Sequence, residues 1–276
     1  MEKDNKTIHF IWLGKIRIPR EIINTWIDES HDIKVWRDFP DPDFECDIDI
    51  KELGDFENKK LFEQSTKYNQ KSDILRLIIL YRYGGLYMDC DILRTNFDID
   101  VFSHIENMCL NDNKTNFFIS YEKKDCISNS IIYVSDINNK TINHLIKGLN
   151  DCQIFDENGK YISVCESTGP KFITKLLIDL QYDMNLILPY HIVNFGIDYA
   201  KGFSSKNFII NDKMKTVKKN KDLRYNPVEN EILGIQIWAG GKSSNYNNIS
   251  DNTILVIKNN IEQYKNFVFR QIDNNI

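Results

Sequence analysis

In YRYGGLYMDCDI, residues 81–92, two carboxylates, Asp89 and Asp91, flank Cys90 at the end of an apolar run. Two hard oxygen donors so placed suit Mn2+ or Mg2+ bridging a ligand's phosphates, because these ions take one or two carboxylates and leave other positions to water and substrate. Upstream, Asp73 and Arg76 stand three residues apart and share one face of an otherwise apolar helical segment. A fixed carboxylate and guanidinium there would grip sugar hydroxyls. Asp-x-Asp by itself says little: Asp41/Asp43, Asp47/Asp49 and Asp98/Asp100 repeat it and read as loop carboxylates. Alternation distinguishes the fourth pair, putting Tyr87, Asp89 and Asp91 on one face of a strand and Leu86, Met88, Cys90 and Ile92 on the other. The plainer alternatives are that the pair caps the next turn or meets Arg94, and that Asp73 and Arg76 form an N-cap and a local ion pair.

Positioning these groups requires a strand ending where the aspartates begin, and a helix delivered to it. KSDILRLIILYRYGG (71–85) predicts that helix, capped by Ser72 or Asp73 and stopped by Gly84, with a strand over 86–92 following at once. TIHFIW (7–12) predicts a buried strand with His9 as a packed core histidine, IPREIINTWIDE (18–29) a helix and DIKVW (32–36) a second strand. Strand, helix, strand is the α/β order. The Asp- and Pro-rich stretch after Trp36 and the amphipathic KKLFEQSTKYNQ suggest a helical and loop insertion over about residues 40–70. NFFISYE, IIYVSD, NLILPYHIVNF and ILGIQIW read as further strands, and TINHLIKGLN, GPKFITKLLIDLQ and TILVIKNNIEQYKNF as helices. No repeat or linker divides the 276 residues, so one domain over 1–276 is expected.

Composition narrows the function classes. Lys+Arg 35 against Asp+Glu 40, spread without like-charge runs, does not describe a nucleic-acid surface. The first 15 residues hold a short apolar run, far below the ~20 that span a bilayer, and lack a signal-peptide layout, so a cytoplasmic protein is expected. Six cysteines without a CxxC pair read as reduced core thiols. The Asn-x-Ser/Thr sequons carry no weight without a secretion signal.

SDILRLIILYRYGGLYMDCDI resembles the signature of family 32 glycosyltransferases and of the catalytic core of the large clostridial glucosylating toxins: Ser-Asp-x-x-Arg, an apolar helix, Gly-Gly-x-Tyr, then Asp-x-Asp. IHFIWLG (8–14), SNSIIYV (128–134), STGPKFIT (167–174) and IQIWAGGKS (235–243) resemble the family's first strand, an Asn-containing turn, a Thr-Gly-Pro helix start and the closing strand and loop. The resemblance implies a GT-A-type, Rossmann-like α/β fold with a mixed central sheet. It implies that Trp12, with Leu13 beside it, lies against the donor's base, that Asp89 contacts ribose and sugar, and that Asp91 ligates the divalent metal. Asp73 and Arg76 would hold the transferred sugar, Tyr87 would flank the donor and Trp238 would close over the diphosphate. Gln236 occupies the slot where relatives place a further metal-ligating group; Ser243 and Asn245 are alternatives. Trp12 taken alone reads as core.

The implied activity is metal-dependent, retaining transfer of a hexose from a nucleotide-sugar, a UDP-sugar before GDP-mannose, to a saccharide or lipid-linked saccharide. Synthesis of bacterial capsule or surface polysaccharide, with peripheral association at the inner membrane face, is the leading setting. Alternatives are a toxin-like effector glycosylating a host protein, a silent nucleotide-sugar-binding protein, and an aspartate-nucleophile phosphotransferase. For the last, Leu93 stands where that family has Thr or Val.

Overall fold

The run TIHFIW forms strand β1 (Thr7–Trp12), buried along its whole length as a central parallel strand must be. The computed structural model describes residues 6–94, 99–110, 116–123, 126–183, 234–236 and 255. Helix α1 (Arg20–Ile23) opens after Pro19 and passes into a 3-10 turn over Asn24–Trp26. It is shorter than the sequence suggests. Asp28 draws the backbone N–H of Ser30 to its side chain at 2.6 Å, offering the chain a turn in place of another helical one.

Strands β2 (Asp32–Arg37) and β3 (Asp47–Asp49) then add in parallel beside β1. β3 lies inside the stretch read as a helical and loop insertion, which otherwise holds a 3-10 turn over Ile50–Leu53 and helix α2 (Lys59–Gln64). Pattern could not reveal a three-residue strand. What fixes it is a partner ten residues away: Arg37 donates to Asp47 at 2.5 Å.

Helix α3 (Tyr68–Tyr83) returns the chain to strand β4 (Gly85–Met88), which pairs in parallel with the other side of β1. β5 (Ile92–Arg94) and α4 (Val101–Leu110) follow. β6 (Phe117–Lys123) and β7 (Cys126–Val134) complete a six-stranded sheet of order β3-β2-β1-β4-β7-β6, in which β7 runs antiparallel to β4 and β6. Helices α5 (Lys140–Gly148), α6 (Val164–Ser167) and α7 (Pro170–Asp179) come next. The expected mixed α/β sheet is present. Its parallel half turns one way from β1 to β2 and β3 and the other way to β4. The carboxyl ends of β1 and β4 therefore meet at a topological switch point, where open α/β sheets bind ligands.

α3 begins at Tyr68 after Lys67, so Ser72 and Asp73 are interior to it and do not cap it. Every residue from Asp73 to Leu80 is buried, as a helix apolar around most of its circumference must be. Gly84 ends the helix, as expected, but at φ 62° and ψ −157° it lies outside the left-handed helical conformation that a C-terminal glycine is expected to adopt. Gly85 is needed for a second reason: a Cβ there would stand 2.5 Å from the carbonyl oxygen of Thr7, and its φ is 86°. The strand expected over 86–92 stops at Met88. Asp89 N–H still bonds the Ser130 carbonyl at 2.8 Å, but Ile92–Arg94 pairs with β8 (Gly234–Gln236) in a separate two-stranded sheet. The alternation thus extends from Tyr87 to Asp89 and no further.

Residues Met1–Lys15, Ile27–Cys90 and Asp100–Leu188 form one compact unit, and Ile16–Trp26, Asp91–Ile99 and Pro189–Ile276 a second. The first is cored by α3 against the sheet, with Leu75, Leu77, Ile79, Ile119 and Ile132 fully buried. In the second, Trp26 Nε1 donates to the Ile92 carbonyl at 2.7 Å, and a Cβ on Gly234 would meet Ile92 at 2.7 Å. The sequence-predicted strand NLILPYHIVNF and helix TILVIKNNIEQYKNF lie outside the described residues, apart from Leu255.

His9 is the packed core histidine expected. Its Nε2 lies 3.1 Å from the Gly84 carbonyl, and its Nδ1 accepts from Trp36 Nε1 at 3.2 Å, which fixes a neutral tautomer with the proton on Nε2. Burial, helped by Lys34 and opposed by the Gly84 bond, lowers its pKa from 6.5 to about 3. Between these pH values the unfolded chain binds a proton that the native state does not, so this group's contribution is intact above pH 6.5 and is lost on acidification. Urea titrations should show it costing about 2 kcal/mol at pH 5 relative to neutrality, and the difference should vanish in His9→Gln.

Candidate functional site

α3 carries three buried polar side chains, Gln70, Asp73 and Arg76, at every third position and so along one stripe. Asp73 Oδ1 takes Arg76 Nη2 at 2.9 Å and Asn129 Nδ2 at 2.8 Å, and Thr168 Oγ1 donates to its Oδ2 at 2.8 Å. Arg76 Nη1 lies 3.3 Å from Asp89 Oδ1 and donates to the Asn129 carbonyl, while its guanidinium carbon sits 4.5 Å from the centre of the Tyr87 ring. Tyr87 Oη donates to Asp89 Oδ1 at 2.7 Å. One guanidinium thus binds two carboxylates and leans on an aromatic face, a geometry a lysine could not reproduce. Four sequence-predicted residues, Asp73, Arg76, Tyr87 and Asp89, are brought together.

The side chains differ in access. Asp73 and Arg76 are about 5% exposed, whereas the Asp89 side chain is 30% exposed. Asp89 is therefore the most accessible of the three, at the carboxyl end of β4. Desolvation raises the Asp73 pKa to about 6 against the pull of Arg76, Thr168 and Asn129, and Asp89 adds to the rise. Burial also pushes Asp89 up, opposed by Arg76 and the Tyr87 hydroxyl. The Arg76 cation is favoured by Tyr87 and by both carboxylates, which outweigh its burial.

Trp12 and Leu13 lie at the carboxyl end of β1, each 9% exposed. Asp91, 6% exposed, faces Gln236, whose Nε2 is 3.4 Å from Asp91 Oδ1. Gln236 Oε1 is buried and has no hydrogen-bond partner among the described residues. An orphaned amide oxygen beside a carboxylate fits a hard divalent cation that would draw its remaining ligands from phosphate and water. Among the described residues no group of three or more His, Cys, Asp or Glu forms a metal cluster. Trp238, Ser243 and Asn245 lie outside the described residues.

Two partners were not singled out from sequence: Asn129, which lies within β7 and not in a turn, and Thr168, which precedes the Gly-Pro start of α7. Both segments resemble family motifs, and that was the only signal for them. Where side-chain bonds are described for the other Asp-x-Asp carboxylates, they are structural: Asp41, Asp49 and Asp100 accept turn or helix-start N–H groups, and Asp47 pairs with Arg37.

Two carboxylates clamped by one guanidinium thus lie at the β1/β4 switch point of this mixed sheet. Residues 19–114 match the family described as "Glycosyltransferase sugar-binding region containing DXD motif". It is 33% identical over 110 residues to the Legionella pneumophila protein named "Subversion of eukaryotic traffic protein A", an alignment covering 32% of this chain and 17% of that protein. The chain thus spans about a sixth of the curated relative it matches. Among solved structures it is similar to the PaToxG glycosyltransferase, at TM-score 0.47 and 20% identity over 64% of this chain and 69% of that one. It is also similar to the UDP-bound glycosyltransferase domain of the YGT toxin, at TM-score 0.48 and 11% identity over 69% and 80%. The alpha-toxin catalytic domain of Clostridium novyi aligns at TM-score 0.45 and 12% identity over 64% and 72%.

Proposed function

We propose that the chain transfers a hexose from a nucleotide-sugar, a UDP-sugar in preference to GDP-mannose, with retention of configuration. The observation that carries this reading is the Asp73–Arg76–Asp89 cluster. Arg76, saturated by protein acceptors, holds both carboxylates in place, and Asp89 presents its open edge to the donor's hydroxyls. Above pH 6 Asp73 is a carboxylate whose two oxygens are already oriented, which suits it to accept from a sugar hydroxyl without reorganisation. Trp12 and Leu13 would take the base, Tyr87 the flank of the sugar and Trp238 the diphosphate. Asp91 and Gln236 would hold Mn2+ or Mg2+, which when bound offsets the charge of the departing diphosphate. No protein nucleophile is assigned. Asp89 is engaged by Tyr87 and Arg76, which argues against the phosphotransferase alternative.

The acceptor proposed first is a saccharide or lipid-linked saccharide of the bacterial surface, with the enzyme in the cytoplasm or at the inner membrane face. No helix among the described residues is long and apolar enough to cross a membrane. The partial identity to a Legionella protein named for subverting eukaryotic traffic favours a host protein as a second acceptor. Thermal-shift measurements with UDP-glucose, UDP-galactose, UDP-N-acetylglucosamine and GDP-mannose, with and without Mn2+, test the donor. A true donor at a hundredfold excess over its dissociation constant should raise the melting temperature by about 5 °C when Mn2+ is present. Absence of any shift with all four would overturn the proposal.

A further inference from the structure

We propose that Gln70 and Tyr161 are positioning residues for Asp73, fixing through Ser167 the turn that presents the Thr168 hydroxyl to the carboxylate. Gln70 is fully buried one helical turn before Asp73, on the same stripe of α3. Both ends of its amide are engaged: Nε2 donates to Ser167 Oγ at 2.9 Å, and Tyr161 Oη donates to Oε1. The next residue is Thr168, whose hydroxyl meets Asp73 Oδ2. The turn has little other freedom. Thr168 N–H bonds the Val164 carbonyl at 3.0 Å and Gly169 N–H bonds the same oxygen at 2.8 Å, while a Cβ on Gly169 would stand 2.9 Å from it. The Cys152 thiol approaches the Ser167 carbonyl at 2.8 Å.

Tyr161 carries this chain of contacts to the surface. It closes a small hairpin by pairing with Phe155, their rings 5.5 Å apart, and Lys67 Nζ lies 3.9 Å from its ring centre. Neither Gln70 nor Tyr161 is hydrogen-bonded to Asp73. A fully buried amide is costly unless both ends are satisfied, so a glutamine here specifies one placement of the 161–168 segment against α3. Asp73 is faced by Arg76 from its own helix, by Asp89 beyond β4, by the Cys152 thiol, and by the neutral donors Asn129 and Thr168. Of these, Thr168 is the one set by Gln70 and Tyr161. Losing its bond removes a stabiliser of the carboxylate form.

The catalytic meaning of the relay rests on the proposed glycosyl transfer; its existence does not. The Asp73 carboxyl is therefore followed by carbon-detected NMR titration in the ligand-free full chain. Tyr161→Phe, which deletes one hydroxyl, should raise the Asp73 midpoint by about half a unit, and Thr168→Val by about one. The double variant should shift no further than Thr168→Val alone. Gln70→Leu should match Tyr161→Phe if it folds, and Tyr161→Phe decides if it does not. A lower melting temperature with an unmoved Asp73 midpoint, or shifts that simply add, would overturn the inference. A wild-type protein that hydrolyses no nucleotide-sugar, yet shows the coupled midpoints, would instead overturn the glycosyltransferase reading and leave the relay standing.

Discussion

Asp91→Asn is expected to lower Mn2+-dependent nucleotide-sugar hydrolysis by about 10²–10³-fold, measured as kcat/KM at saturating Mn2+. The substitution keeps the shape of the side chain and removes the charge a divalent cation requires, so the native fold should persist and the loss should read as chemistry. Gln236→Met serves as the companion. It deletes the orphaned Oε1 at similar volume and should raise the Mn2+ concentration for half-maximal activity by about tenfold. Undiminished activity in Asp91→Asn would remove this residue from the metal site.

Arg76→Met should be the most damaging substitution to the fold. It leaves Asp73 and Asp89 facing each other without the cation that lies 2.9 Å from one and 3.3 Å from the other. Stripping one partner from a buried charge cluster costs about 3–5 kcal/mol. The pH dependence gives the mechanism. In the variant both carboxyls have raised pKa values and no countercharge, so the native state binds more protons than the unfolded chain. The deficit against wild type should therefore narrow on acidification from pH 8 to pH 5, a comparison in which the His9 contribution, common to both proteins, cancels. Adding Asp73→Asn should recover part of the loss at pH 8. Urea unfolding across that range checks both points, and a deficit independent of pH would mean that lost packing dominates.

The sequence showed the parts of this site that are local. β1, β2 and the helix over KSDILRLIILYRYGG follow from apolar runs, and Gly84 from the need for positive φ at a helix end. The Asp73–Arg76 pair follows from helical spacing. What pattern could not show is long-range. Asn129 and Thr168 reach Asp73 from 56 and 95 residues away, and nothing periodic announces a donor to a buried carboxylate. The strand predicted over 86–92 is longer than the one observed because alternation persists in the letters after the ladder has ended. Met88 is the last residue of β4, and the next three cross to a different sheet. α3 starts earlier than the sequence predicts for a related reason: Ser72 and Asp73 have the residue types of caps, while their partners lie on other elements.

The long reach of those bonds has a consequence for how the site comes into being. A polar stripe on α3 is stable only once β7 and the turn before α7 have arrived, so the Asp73–Arg76 cluster belongs to contacts of high sequence separation and should form late in folding. Residues 19–114, over which the chain matches the family, contain neither Asn129 nor Thr168. The segment that carries the motif therefore lacks two of the hydrogen-bond donors that hold Asp73. The cluster is completed by parts of the chain that the motif does not include.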